Sequence, residues 1–335
     1  MISRRRILLA ALAAPAAPGG VALAQTDPPP VHLRRSITML AGGAEGSATA
    51  ELARVFARFL GPRLGAPMPG GVEVEVRCQP GESALTMLTA LAEAFPSGAT
   101  IGWVVAPTLS ARMIDRDDPG LIRRIQLVGQ AEREPIAFLS PASDPANSVQ
   151  DIIRRAGDDA DAVPLGTPPA GSPPHLAALR LQVLAQTRLN IVTFPSGAAA
   201  RQAVLAGNVS AAALGLSAVI GDVRDGNLTA IGIAAKRRFG LLPDAPILDE
   251  AGIPLAAFIR RGIAVPAGTP GDIVATLADA VRAVAEDEAF GRQAEDNGYY
   301  AAWADAAAWR AQMDTEQAAL AKLWETDPWL SSSGG

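Results

Sequence analysis

Strands alternating with helices along most of the chain, with glycine-rich turns between a strand's end and a helix's start, predict an α/β fold, and an apolar fraction of 49% allows a substantial core. The sheets are expected to be mainly parallel. The segment ITMLAGGAEGSATAELAR at 37–54 carries this pattern most plainly: a short apolar strand, a glycine-rich turn, then an amphipathic helix. A second segment of the same kind, VPLGTPPAGSPPHLAALRL, occupies 163–181.

The elements follow in order. Gln25–Arg35, with Pro28, Pro29 and Pro30, is an extended lead-in. Ile37–Ala41 is a strand, and Thr49–Leu60 is a helix with Leu52, Val55, Phe56 and Phe59 on one face. Val72–Val76 alternates Val with Glu, a strand with one wet face. The turn Gln79–Ser83 leads to a helix ending near Phe95. Ile101–Val105 is a buried strand, Pro107–Ile114 a short helix, and Asp117–Gly120 a loop. Ile136–Leu139 is a strand; a helix from Val149 to Ala156 then has Ser148 as its cap. Val163–Leu165, Ile191–Phe194, Val209–Leu214 and Leu228–Ala234 are strands, with helices at Pro174–Gln186, Ala198–Ala206 and Ala218–Arg224 between them. Lys236-Arg237-Arg238 reads as a solvated helix start. Ile263–Val265 is the last strand, and helices near 271–286, 288–296 and 305–324 fill the remainder. In the last of these, Trp309, Met313, Leu320 and Trp324 fall on one stripe, which is core packing.

The chain has 335 residues and a formal charge of −5. Residues 1–24 carry Arg4, Arg5 and Arg6 and no acid, so the body is more acidic still. An acidic body with a single basic triplet argues against nucleic acid as a partner. Arg4–Arg6, the apolar run Ile7–Ala14 and the small-residue site Ala22-Leu23-Ala24 together read as an export signal over 1–24. Ser3–Leu8 also resembles a twin-arginine signal. A periplasmic location is therefore expected, with no transmembrane span. Cys78 is the only cysteine, so no intrachain disulfide is possible, and it reads as a buried inert thiol.

No G-x-G-x-x-G, Gly-Lys phosphate loop, G-x-S-x-G or H-E-x-x-H occurs, and the two histidines, His32 and His175, are far apart. Neither catalytic residues, a metal nor a cofactor is expected. Free N–H groups at a helix start suit an anion instead. The first turn offers Gly43, Ala44, Gly46, Ser47, Ala48 and Thr49, although glycines also serve plain permissive bends. The mid-chain turn offers Thr167, Ala170, Gly171 and Ser172, followed by Pro173 and Pro174 in the helix's opening positions. Ser196 and Gly197 form a third strand-to-helix turn and Ser217 lies in a fourth, where capping is the alternative role. All follow the carboxyl ends of strands, where open α/β sheets place ligands. His175 reads as a structural residue.

In this order the residues resemble the Bug family, periplasmic solute receptors of tripartite tricarboxylate transporters. Ile37–Arg54 is similar to that family's strand–Pro-Gly-Gly turn–helix, and Gln79-Pro80-Gly81 to its Arg-Pro-Gly turn. Ala94–Thr100 is similar to its Ala-Pro-Asp-Gly-Tyr-Thr segment, and Gly166–Leu176 to its Gly-Ser-Pro-Gly-x-Gly-x-x-x-His-Leu motif. Ala234–Arg238, Leu242–Pro246 and Val265–Pro270 complete the series. The resemblance implies a type II periplasmic-binding-protein-like fold. One domain would span 25–134 plus 260–335 and the other 135–259, joined by two crossings and closing on a ligand in the cleft. It further implies a monomer that captures a small carboxylate and delivers it to a membrane permease, or signals it to a sensor kinase. The chain departs from the family at Gly42-Gly43, where Pro-Phe is usual, and at Glu45, where Pro is usual. Ala50 replaces a usual Asp, Ser196 a common Lys and Ser210 an Asp. An inward Glu45 would favour a ligand that also carries an amine; an outward one would change little.

Overall fold

The chain is described by a computed structural model covering residues 36–64, 71–81, 84–144 and 148–330. The export segment and the proline-rich lead-in lie outside the described residues, as do Glu82 and Ser83 of the second turn. The sheet is mixed rather than mainly parallel: in its first half β2 (Glu73–Cys78), β1 (Ser36–Ala41) and β3 (Thr100–Val105) lie side by side and parallel. β9 (Phe258–Pro266) pairs antiparallel with β3 and with β4 (Ile125–Pro141), and β10 (Tyr300–Asp305) lies against β4. In the second half, β7 (Ala211–Gly215), β5 (Pro164–Thr167) and β6 (Asn190–Thr193) are parallel, while β4 meets β7 and β8 (Leu228–Ile233) antiparallel.

One strand therefore belongs to both halves. β4 runs for 17 residues, pairing β9 as far as Pro135 and β7 from Ile136 onward. Pro135 has no N–H for a ladder, which suits the residue at which the strand changes partners. The domain limits expected at 134/135 and 259/260 fall inside β4 and β9.

The helices cover the faces because their apolar stripes need a partner. In the first half, α1 (Ala48–Leu64), α8 (Gly271–Ala285) and α9 (Glu288–Asp296) bury Phe56, Leu60, Val281 and Phe290 on one face. Phe56 meets Trp103 of β3 at 4.8 Å between ring centroids. The opposite face takes α2 (Leu85–Glu93), α3 (Ala106–Asp115) and α10 (Ala306–Thr326), with Leu91, Leu109, Trp309 and Met313 inside. In the second half, α4 (Val149–Asp158) and α5 (Pro173–Ala185) pack on one face; α6 (Gly197–Leu205) and α7 (Ile220–Arg224) pack on the other. Ser148 caps α4 by accepting from Asp151 N at 3.2 Å.

Several expectations need correction. β4 begins eleven residues before the expected Ile136, β9 begins five before Ile263, and β10 replaces a stretch without an expected strand. The missed residues include Glu132, Glu134, Arg260 and Arg261, whose charges hide the period-two apolar pattern. Lys236-Arg237-Arg238 is exposed but forms a bend, not a helix start; Arg238 instead bonds Glu250 and the carbonyl of Pro243. In the last helix Trp309, Met313 and Leu320 are buried as expected, while Trp324 is half-buried against Trp329. Cys78 is half-buried rather than enclosed, with Sγ 3.8 Å from Arg54 Nη2. Burial and a bond to Glu45 hold its thiol above the usual range.

Where β4 and β9 meet, Gly262 packs against backbone: an added Cβ would lie 2.2 Å from Gly129 O and 2.7 Å from Gln130 Cα. Gly262→Ala is expected to lower stability by about 1–3 kcal/mol through overpacking. A drop in the urea midpoint at unchanged slope is the measurement that checks it.

Candidate functional site

At the first turn the chain leaves β1, passes Gly46 at φ +73° and enters α1 at Ala48. That positive φ is easy only for glycine. Ser47 N donates to Ala44 O at 3.1 Å, and Ser47 Oγ accepts from Ala50 N at 3.3 Å, so Ser47 caps the helix. Ala44, Gly46 and Ala48 are exposed, with Gly43 and Thr49 partly so. Gly43 packs on Ser47: a Cβ there would lie 2.3 Å from Ser47 Oγ. Glu45 is turned outward onto Arg54, which also binds Glu51 at 2.7 Å. Bonds to Cys78 and Arg54 hold its carboxyl below the ordinary range.

The mid-chain turn is built differently. Thr167 is fully buried, and its hydroxyl donates to Pro168 O at 3.0 Å. Ser172 N donates to Pro169 O at 3.0 Å, closing the turn. Gly171, at φ +74°, directs its N–H to His175 Nδ1 at 3.4 Å. The Gly171 amide, expected as an anion donor, is therefore already engaged inside the protein. Burial lowers the His175 pKa to about 4, so the imidazole is neutral and can accept that proton. Ser172 Oγ is buried and has no hydrogen-bond partner. Ala170 lies partly exposed beside it.

A cation that the local sequence does not show lies behind this turn. A Cβ on Gly171 would sit 2.0 Å from Arg112 Nη2, on α3 of the first half of the sheet. Arg112 is 2% exposed and pairs with Asp115, whose side chain is wholly buried, at 2.5 Å. Trp329 Nε1 donates to the same Asp115 oxygen at 2.7 Å. Burial raises the Asp115 pKa, against the bonds from Trp329 and Arg112. Leu176 and Leu179 of α5 join Ala111 and Trp329 in one apolar cluster, so α3, α5 and the residues just after α10 meet here.

The third turn lies next to the second. Phe194 N donates to Thr167 O at 2.8 Å, and the Cβ position of Gly197 is 3.8 Å from Pro168 Cγ. Ser196 caps α6, accepting from Ala199 N at 3.1 Å. The structure thus brings Thr167 and Pro168 together with Ser196 and Gly197. Ser217 stands apart: its N–H and hydroxyl both donate to Glu134 Oε1, at 2.8 and 2.7 Å. Arg112, Asp115, Trp329 and Glu134 were missed because each acts on a turn remote in sequence. The Arg112–Asp115 spacing of three on a helix was the one local sign of a pair.

The sequence pattern of the tripartite tricarboxylate transporter family receptor matches residues 53–322. The chain belongs to this family. A UPF0065 protein of Bordetella bronchiseptica is 28% identical over 84% of this chain and 79% of its own length. BugT of Bordetella pertussis is 25% identical over 77% of this chain and 80% of its own. The fold matches the periplasmic binding protein BugD at a TM-score of 0.77 and 22% identity, covering 88% of this chain and 98% of that one. A Rhodopseudomonas palustris protein with bound malate matches at 0.73 and 22% identity, covering 86% and 98%. Another R. palustris protein, with adipate, matches at 0.77 and 20% identity, covering 87% and 96%. The mixed α/β architecture is that of periplasmic binding proteins of the Bug type, and the family is one of solute-binding receptors. No described helix of this receptor is long and apolar enough to cross a membrane.

Two outcomes follow from the geometry of this receptor. His175 has a folded pKa below its ordinary value, so its contribution is present above about pH 6.5 and is lost as pH falls toward about 4. His175→Gln should flatten that acid limb in a series of melting temperatures against pH. Because Glu45 faces Arg54, Glu45→Gln should leave ligand affinity within about a factor of two, as for other exposed ion pairs. Isothermal titration of the wild type and the variant with one ligand checks this.

Proposed function

We propose that this receptor captures a small carboxylate in a cleft between its two halves and delivers it to a membrane permease of the tripartite tricarboxylate type. Export to the periplasm through residues 1–24 belongs to the same reading. The halves act as two domains, 25–134 plus 260–335 and 135–259, that close by bending β4 and β9. The observation that carries the proposal is the buried, unpartnered hydroxyl of Ser172 at the start of α5. An unpaired buried donor there is costly unless a ligand acceptor completes it.

The first turn supplies the opposing donors: the amides of Gly43, Ala44, Gly46, Ala48 and Thr49 at the positive end of α1. With Glu45 drawn onto Arg54, that turn repels a carboxylate less than its sequence suggests, and an amine on the ligand is not required. Arg112 adds positive potential behind the mid-chain turn, and Asp115 offsets part of it. Hydrogen bonds to a charged acceptor contribute about 1.5–3 kcal/mol each. Four or five of them, less the ordering of two turns, give micromolar binding, about −8 kcal/mol. Neighbours of the same fold with bound malate and adipate support a carboxylate as the ligand class.

A thermal-shift screen of mono-, di- and tricarboxylates and amino acids tests the reading. Saturation at about 100 times the dissociation constant adds roughly 2.7 kcal/mol. Ser172→Ala should weaken the best hit by about tenfold to a hundredfold, the worth of one hydrogen bond to a charged acceptor. Unchanged affinity would remove the start of α5 from the site. Gly171 is a poor probe, because any side chain there strikes Arg112 and unsettles the turn itself.

A further inference from the structure

Glu132 and Glu134 of β4 share one guanidinium. Arg261 of β9 donates through Nη1 to Glu132 Oε1 at 2.8 Å and through Nη2 to Glu134 Oε2 at 2.5 Å. None of the three side chains is more than 3% exposed. Two carboxylates against one cation leave an excess negative charge inside the protein. The structure also shows where it is least supported. Glu132 Oε2 is buried without a hydrogen-bond partner, and Gln130 Oε1, on a residue 3% exposed on the same strand, has none either. Glu134, in contrast, has both oxygens engaged, one by Arg261 and the other by the N–H and hydroxyl of Ser217.

We propose that Glu132 is a proton-binding site of this receptor, and that its protonation sets how firmly Glu134 holds the Ser217 turn. The proton comes from solvent and resides on the unpartnered Oε2. A buried carboxylate lacking full compensation takes up a proton rather than remain charged. With Glu132 neutral, the Arg261 charge is matched by Glu134 alone. With Glu132 ionised, two carboxylates repel each other and compete for Arg261, and the grip on Ser217 weakens.

The groups that act on Glu132 agree with this. Burial drives its carboxyl up to about 7, with Glu134 adding to the rise and Arg261 opposing it. Tyr299, next to β10, is a buried phenol held protonated by burial, Glu132 and Glu134, with Arg261 and then Arg58 of α1 opposing. The buried face of α8, which packs on β4, presents Leu277, Ala280, Val281 and Val284 and no charge. The same cluster ties three elements together: β4, β9 and the end of β7. Neither the proton on Glu132 nor its effect on Ser217 depends on which ligand the receptor takes.

The folded carboxyl of Glu132 lies above its ordinary value. Its stabilisation is therefore complete at acid pH and is lost as pH rises through about 7. His175 acts in the opposite sense over an overlapping range, so the readout is the difference between wild type and Glu132→Gln, which mimics the neutral acid. From about pH 5 to about pH 8.5 the variant should gain in melting temperature relative to wild type. Hydrogen exchange at the Ser217 amide should accelerate above about pH 7 in wild type beyond the normal base-catalysed trend, and not in the variant. A variant less stable than wild type by the same amount at every pH would overturn the proposal. So would a rise in wild-type melting temperature when Na⁺ or K⁺ replaces choline at alkaline pH, since a bound cation would then balance the charge. Carboxyl titration of the wild type by ¹³C NMR serves should Glu132→Gln fail to fold. The carboxyl assigned to Glu132 titrating near neutrality supports the site, and that carboxyl titrating below about pH 5.5 refutes it.

Discussion

The architecture turns on one guanidinium. β4 runs from one half of the sheet into the other, β9 pairs along its first-half part, and Arg261 joins the two strands there. Buried ion pairs add little net stability over apolar packing, yet removing one partner is strongly destabilising, about 3–5 kcal/mol. The arrangement therefore fixes register more than it adds stability. A slip of one residue would carry Glu132 and Glu134 to the other face and away from Arg261. Beyond the strands, Glu134 extends the constraint to the end of β7 through Ser217. At Gly298, φ +84°, an added Cβ would lie 3.1 Å from the backbone of Leu216 and Ser217, so the α9–β10 connection comes close to the same turn.

The mid-chain turn is shaped by a second polar cluster of a different kind. Its glycine turns an N–H to a neutral imidazole, and its outer side rests on Arg112, which Asp115 and Trp329 hold in place. Gln182 of α5 further binds Asp327 at 3.0 Å, so the residues after α10 are fastened to the second half as well as to α3. A turn buttressed in this way holds its remaining hydroxyl in a fixed frame, and in the proposed function little ordering would be left to oppose binding. Backbone dipoles and a shielded cation therefore lie side by side at this turn.

Much of the second half was legible because its strands are short apolar runs bounded by turns, and its helices carry ordinary caps at Ser148 and Ser196. The stripe through Trp309, Met313 and Leu320 was equally plain. The crossing strands were not legible. Their inward positions carry Glu and Arg, residues that pattern reading assigns to solvent, and only pairing across strands makes such burial tolerable. Among the site residues, the positions of the turns could be read, but the direction of each N–H could not. Gly171 and Ser217 turn their N–H groups, and Thr167 its hydroxyl, to internal acceptors that lie four, eighty-three and one residues away, respectively.

The sequence by itself determined the alternation of strands and helices, the glycine turns at strand ends and the family, since these rest on local periodicity, local backbone preference and motif order. Tertiary structure alone decided that Glu45 turns to Arg54, that Arg112 lies behind the mid-chain turn, and that Glu132, Glu134 and Arg261 share one buried space. The physical reason is common to all three. A charge is settled by whichever partner folding brings within hydrogen-bond reach, and that partner has no fixed offset along the chain.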